Sequence, residues 1–297
     1  MASPRLRIRP SGWMPDGVDD RPAAGPRELQ QAVDLLAGRR WAALTGAGIS
    51  TDSGIPDYRG PDSPPRSPMT YQQFVSDPDF RRHYWARNHY GWHHLRRSEP
   101  NAGHRALAAL EARGIVLGVI TQNVDRLHSE AGSKRVIDLH GHYNEVYCLN
   151  CGHRITRSEL DERLLALNPG FLERVGEVDD IEIAPDADAV IEQTQDFVVA
   201  ACEICGGVLK PDIVYFGEPV PAARVAAASA LVDEADALVV AGSSLAVQSG
   251  LRFVRRAADD HKPVVIINRG ITRGDRYAAL RLNAGTSDAL SYLAERL

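Results

Sequence analysis

Four cysteines, and no others, stand at positions 148, 151, 202 and 205 of the 297-residue chain. They form two C-x-x-C pairs. Such a turn can present two thiolates to one ion, and two turns complete a tetrahedral zinc site. Gly152 follows the first pair and Gly206-Gly207 the second, as tight metal-binding turns require. These glycines favour zinc over two independent redox pairs. One zinc held by Cys148, Cys151, Cys202 and Cys205 would have no open position, so the expected ion is structural.

A second constellation is rich in glycine. Residues 45–60 read TGAGISTDSGIPDYRG and follow the apolar run Trp41-Ala42-Ala43-Leu44. Gly46 and Gly48 suit a loop whose backbone approaches a pyrophosphate. The third glycine of a G-x-G-x-x-G turn is missing. In its place come Gly54, Pro56, Asp57, Tyr58 and Arg59: a rigid turn, a carboxylate, an aromatic ring and a cation. A third candidate is His140, which ends the run VIDL and precedes Gly141. An ordinary histidine pKa of about 6.5 suits a general base. His142 is its rival.

These residues need elements to position them. Helical spacing covers 28–36, and Trp41–Thr45 reads as a short strand. Residues 60–70 hold four prolines and read as a long loop, and 71–97 read as helical. Asn101 caps an expected helix closed by Gly114. Residues 115–121 and 136–140 read as strands. Helix and strand alternation resumes after residue 218 and ends in a helix from 287. This alternation predicts an α/β fold, a doubly wound Rossmann-like parallel sheet with an inserted small zinc-binding module.

The expected organisation is a flexible arm at 1–25 and a dinucleotide-binding domain from 26–60, 100–145 and 211–297. Residues 61–99 form a cofactor loop and helical segment. Residues 146–210 form the zinc-binding module with an acidic insertion. Ligands of open α/β sheets sit beyond the carboxyl ends of the strands. There the chain carries Gly46-Ala47-Gly48-Ile49-Ser50, then Gln122-Asn123-Val124-Asp125, His140, Gly242-Ser243-Ser244 and Asn268-Arg269-Gly270.

Composition narrows the classes. A hydrophobic content of 44% and a charged content of 25% are those of an ordinary globular protein. A net charge of -5 and the acidic stretch at 173–196 argue against a nucleic-acid partner. No apolar stretch approaches the roughly 20 residues that span a membrane. The N-terminus has arginines but no apolar core of a secretory signal, so a cytoplasmic protein is expected.

Taken in order, GAGISTDSGIPDYRG, TQNVDRLH, LHGH, the cysteine pairs, KPDIVYFGE, GSSLAV and IIN closely resemble the sirtuins, the NAD-dependent protein deacylases. The resemblance covers about residues 28 to 297. YWARN at 84–88 and ERLLALNP at 162–169 look most like the class II branch. It implies that acyl-lysine, NAD and water yield nicotinamide, O-acyl-ADP-ribose and free lysine, with His140 as general base and Asn123 at the reacting centre. It assigns Gly46, Ala47, Gly48, Ile49, Ser50, Asp57, Tyr58, Arg59, Gln122, Asn123, Asp125, Gly242, Ser243, Ser244, Asn268, Arg269, Gly270 and Thr286 to the cofactor. Tyr58 stands where many relatives have phenylalanine, and its hydroxyl needs a partner.

The segment Val214, Tyr215, Phe216, Gly217 and Glu218 resembles the edge on which sirtuins lay a substrate peptide as an added strand. Tyr84 and Arg87 form Y-x-x-R, a spacing similar to the one that holds an acidic acyl chain; the alternative is helix packing with a surface arginine. Read alone, Asp125 is equally a helix cap, Ser243-Ser244 a plain turn and Arg59 a solvated loop charge. Expected partners are acyl-lysine peptides or proteins, with no nucleic acid and no membrane, and the expected state is a monomer. Mono-ADP-ribosyl transfer is the rival activity, and an NAD sensor with little turnover is the non-enzymatic one.

Overall fold

The computed structural model describes residues 19–58, 69–176, 184–191 and 194–297. The chain begins α1 (Pro26–Leu36), β1 (Trp41–Thr45), α2 (Tyr71–Ser76) and α3 (Pro78–Leu95). It continues α4 (Ala102–Ala112), β2 (Val116–Thr121), α5 (Leu127–Glu130) and β3 (Val136–Asp138). Then follow β4 (Gly141–Cys148), β5 (Arg154–Thr156), α6 (Arg157–Leu167), α7 (Phe171–Gly176) and β6 (Leu209–Ile213). The last part is α8 (Ala222–Glu234), β7 (Ala237–Ala241), α9 (Gln248–Asp259), β8 (Val264–Ile267), β9 (Leu280–Leu282) and α10 (Thr286–Arg296).

Continuous apolar strands bury themselves when helices cover both faces of a sheet. Every residue of β1, β7 and β8 is buried. They sit inside a six-stranded sheet of order β3-β2-β1-β7-β8-β9, with all neighbours parallel. Side chains of α1, α4 and α10 pack on one face, including Leu36, Leu107 and Leu290. Side chains of α8 and α9 pack on the other, including Leu231, Phe253 and Val254. This is a doubly wound Rossmann-like sheet. Its strand order reverses at β1, whose two neighbours are β2 and β7.

A second sheet, β5-β4-β6, is antiparallel; Cys148 ends β4, and the other three cysteines lie in the turns beside it. Its core is shared with the helices that precede it. Phe74, Tyr84, Trp85 and Trp92 of α2 and α3 pack with Tyr143, Leu160, Phe171, Phe197 and Tyr215. Segments far apart in sequence thus bury one another across from the large sheet.

The helical reading of 71–97 is split in two. Pro78 has no N–H to donate, and the Asp77 side chain accepts from Asp79 and Phe80 N–H groups to start α3 afresh. Helix α6 was not anticipated, yet its signal is in the chain: Thr156 and Glu159 form a capping box. Asn101 caps α4 by accepting from the N–H groups of Gly103 and His104, a contact worth about 1 kcal/mol.

Candidate active site and four-cysteine centre

The crevice at the switch point is built by backbone approach. The N–H of Gly46 bonds the carbonyl of Ala241, and the N–H of Gly48 bonds that of Gly242 at 2.8 Å. A Cβ on Gly46 would lie 2.9 Å from the Gly242 oxygen, and one on Gly48 would lie 3.0 Å from the Gly242 Cα. Gly242 itself has φ +65, and a Cβ there would strike the Gly48-Ile49 peptide. Two strand ends therefore interlock as a floor of glycine backbone. Such a cradle fits a dinucleotide pyrophosphate.

A cleft of about 440 Å³ opens over this floor. It is lined by Gly46, Ala47, Gly48, Ser50, Asp57, Tyr58, Gln122, Asn123, Asp125, His140, Gly242, Ser243, Ser244, Asn268 and Arg269, all singled out by sequence. Val214, Phe216, Gly217 and Glu218 line it as well. Ile49 does not; it is fully buried beneath the floor. Gly270 lies just outside, its carbonyl tied to the Asn268 amide. Thr286 supports the floor from behind, its hydroxyl donating to the Gly48 carbonyl at 3.3 Å. Arg59 lies outside the described residues.

Tyr84 and Arg87 do not line the cleft. Tyr84 is sunk among Phe74, Trp85 and Tyr215, with ring centroids 5.3 to 5.4 Å away. The Arg87 Nε meets Asp188 Oδ1 at 2.9 Å and also donates to the carbonyl of Ala189. The Y-x-x-R pair is thus part of a packed helix and its clamp.

In the middle of the cleft, Ser50, Asn123 and Asp125 form a triangle. The Ser50 hydroxyl donates to Asp125 Oδ2 at 2.7 Å, and the Asn123 amide donates to both. Asp125 Oδ1 accepts the Leu127 N–H, so the residue holds the turn into α5 while it lines the cleft. Burial pushes its carboxyl pKa up, opposed by those hydrogen bonds. The Ser243 hydroxyl donates to the Gln122 side-chain oxygen at 2.6 Å. Gly250 leaves space for that amide, since a Cβ there would lie 2.8 Å from its nitrogen.

His140 sits beside this triangle. Its Nδ1 is 3.0 Å from the Gln122 carbonyl, which can only accept, so Nδ1 carries the proton. Nε2 then presents a lone pair, to which the Ser249 hydroxyl donates at 2.8 Å. Burial holds the imidazole pKa down to about 4, so it is neutral at physiological pH. Gly141, at φ +79, turns the chain into β4 where a Cβ would collide with the Asp212 carbonyl. His142 is outside the cleft lining, on the side of Asp138 and Asp212. Sequence reasoning missed Ser249, Pro185 and Asp186, all of which line the cleft.

The four sulfurs converge. Cys148 and Cys205 Sγ atoms are 3.5 Å apart, those of Cys151 and Cys202 3.7 Å, and all four lie within 4.8 Å of one another. Tetrahedral zinc with Zn–S bonds of about 2.3 Å needs sulfur separations of about 3.8 Å. The turns match: Gly152 N–H bonds the Cys148 carbonyl, and Gly206 N–H bonds that of Cys202. The glycines adopt φ +73 and +69. Donor set and spacing fit zinc.

A Rossmann-like sheet with a cleft at its switch point, faced by a four-cysteine module, defines a class of dinucleotide-binding folds. Within that class the chain belongs to the Sir2 family, whose family model matches residues 46–249. An "NAD-dependent protein deacetylase 1" of Mycobacterium avium (strain 104) is 60% identical over 92% of this chain and 97% of its own. An "NAD-dependent protein deacylase SIR4" of Monosiga brevicollis is 50% identical over 84% of this chain and 83% of its own. The solved structure "Sir2-p53 peptide-NAD+" has a TM-score of 0.70 at 32% identity, covering 88% of this chain and 95% of that one.

Proposed function

We propose that the protein is an NAD-dependent protein lysine deacylase that yields nicotinamide, free lysine and O-acyl-ADP-ribose. The observation that carries this reading is His140, a neutral imidazole whose Nε2 lone pair faces the cleft between the glycine floor and the segment after β6. A cleft that only held a dinucleotide would need no base there.

NAD supplies an electrophilic ribose carbon when its nicotinamide bond breaks. The chain does the rest. Gly46, Gly48 and Gly242 offer backbone to the pyrophosphate. Ser50, Asn123 and Asp125 offer fixed donors and acceptors to the nicotinamide end, and Gln122 and Ser243 to the ribose. His140 Nε2 takes a proton from a ribose hydroxyl, displacing the Ser249 hydroxyl from its place. Tyr58 shields the ribose face. Val214 is held by its N–H to the His140 carbonyl at 2.8 Å, which aligns the Val214–Glu218 edge with the base. Part of that edge is already paired, since Phe216 bridges Thr70.

One zinc on the four cysteines would hold β4 and β6 together without touching the chemistry. The free thiols in zinc spacing suit a reducing, cytoplasmic setting. No described helix is long and apolar enough to cross a membrane. We read the chain as a class II type monomer that acts on acyl-lysine peptides or proteins and not on nucleic acid.

The test is product mass. The protein, NAD and an acetyl-lysine peptide are expected to give deacetylated peptide and O-acetyl-ADP-ribose. A protein or peptide heavier by ADP-ribose, with no deacetylated peptide, would replace this reading with ADP-ribosyl transfer.

A further inference from the structure

The cleft has two ends. One is the glycine floor with Asn268 and Arg269. The other, beyond His140, is closed by Tyr58, Met69, Pro185, Asp186, Ile213 and Tyr215. If the first holds the dinucleotide, the second is where the tail of a lysine-bound acyl group must lie. This placement rests on the function proposed above.

Residues 184–191 reach that end by docking on α3. The docking needs Gly91, where a Cβ would fall inside the Ala187 carbonyl. Ala187 has φ +56, and the N–H of Ala184 bonds the Asp188 carbonyl at 2.9 Å, so the segment is a tight loop. The Tyr143 hydroxyl donates to the Asp186 carbonyl. Arg87 grips the Asp188 carboxylate and the Ala189 carbonyl, and its Nη1 lies 3.1 Å from His83 Nε2. The His83 Nδ1 lies 2.8 Å from the Thr194 hydroxyl. These contacts fix the loop backbone, and Asp186 lines the cleft with its carboxyl also accepting from the N–H groups of Asp186 and Asp188. Tyr58 donates to its carboxylate. Its Oδ1 is sealed from solvent with no hydrogen-bond partner among the described residues.

We propose that Asp186 sets acyl specificity, admitting neutral acyl groups and excluding those that end in a carboxylate, while Arg87 tethers the loop that carries it. Arg87, the cation that Y-x-x-R spacing would offer to an acidic acyl group, is engaged by Asp188. An acyl carboxylate would instead meet the Asp186 carboxylate, and two such groups in contact cannot both ionise. The burial that disfavours charge on Asp186 would equally penalise an ionised acyl carboxylate brought into the same surroundings.

Butyryl-lysine and succinyl-lysine have equal chain length and differ at the end, a methyl against a carboxylate. The full chain, Asp186→Asn, Asp186→Ser and Arg87→Met would be assayed with both peptides, by kcat/KM with NAD and by fluorescence anisotropy. The natural protein is expected to favour butyryl. Either Asp186 substitution should cut that preference about tenfold or more, the range a lost like-charge contact commands. Arg87→Met should weaken both peptides together. A natural protein that favours succinyl overturns the proposal. So does an unchanged ratio in a folded Asp186 variant, or a loss confined to succinyl in Arg87→Met. Absence of turnover with every peptide would refute deacylation, yet the anisotropy ratio would still judge Asp186.

Discussion

The Nε2 atom of His140 and the hydroxyl of Ser249 lie 2.8 Å apart, and both residues line the cleft. One residue precedes β4 and the other opens α9. The serine stabilises the unprotonated imidazole, and the Gln122 carbonyl fixes which nitrogen stays bare. The pair therefore stores a base in its reactive tautomer.

Removing the base tests this directly. His140→Ala should lower kcat/KM for an acyl-lysine peptide by about 10²–10⁴-fold, the usual worth of a positioned base. Its melting temperature should stay close to that of the natural protein. Full activity in a folded variant would refute the assignment.

Ser249→Ala should act on the pH profile. The hydroxyl favours the neutral imidazole, so its loss raises a pKa now near 4. The acid limb of kcat/KM should then move to higher pH, by up to about one unit. An acid limb that stays in place would separate Ser249 from the base.

Stability should fall in acid. His104 and His140 are held near 4 by burial, and His128 well below its usual value. Unfolded histidines titrate near 6.5. As pH drops from about 6.5 toward 4, the unfolded chain takes up protons that the folded chain refuses. Each histidine then costs up to about 1.4 kcal/mol per pH unit. Asp125 works in the opposite sense, because its raised pKa favours the folded form as pH falls. Glu130, Asp138 and Asp186 side with Asp125, while His83 and His89 join the three histidines; unfolded histidines take up protons before unfolded carboxylates as pH falls from 7, so urea midpoints at pH 7, 6 and 5 should descend. A flat series would count against buried neutral histidines.

Metal removal should uncouple the small sheet. Chelation should release one zinc per chain and lower the melting temperature, because β4 and β6 lose the clasp at Cys148 and Cys202. Elemental analysis with calorimetry reads both; an unchanged melting curve after zinc loss would make the ion dispensable.

Gly91→Ala should lift residues 184–191 from α3. Amide hydrogen exchange at 184–191 should quicken while β1, β7 and β8 stay protected. Unaltered exchange would show that the loop docks without this glycine.

Much of this architecture was legible because its signals are local. Trp41–Thr45 was read at its observed bounds, since a buried parallel strand is a plain apolar run. The cysteine turns carry their glycines beside them. The cofactor loops follow strands in sequence, so their convergence follows from the alternation alone. Asp186 and Ser249 gave no such sign. Each faces the cleft only because α3 and α9 pack as they do, and a lone aspartate or serine has no spacing to read. Arg87 shows the same limit from the other side. Its spacing from Tyr84 is that of a pocket pair, but Asp188, more than a hundred positions away, takes the charge.

The floor of the cleft has a temporal consequence. Gly48 and Gly242 meet by a backbone hydrogen bond although 194 positions separate them in the chain. Neither half can shape the crevice alone, and closing so long a span is slow. A nascent chain still lacking β7 would have the TGAGIS loop but nothing for it to rest on. Cofactor capture should therefore report completed synthesis, and its binding energy should favour whole chains over truncated ones.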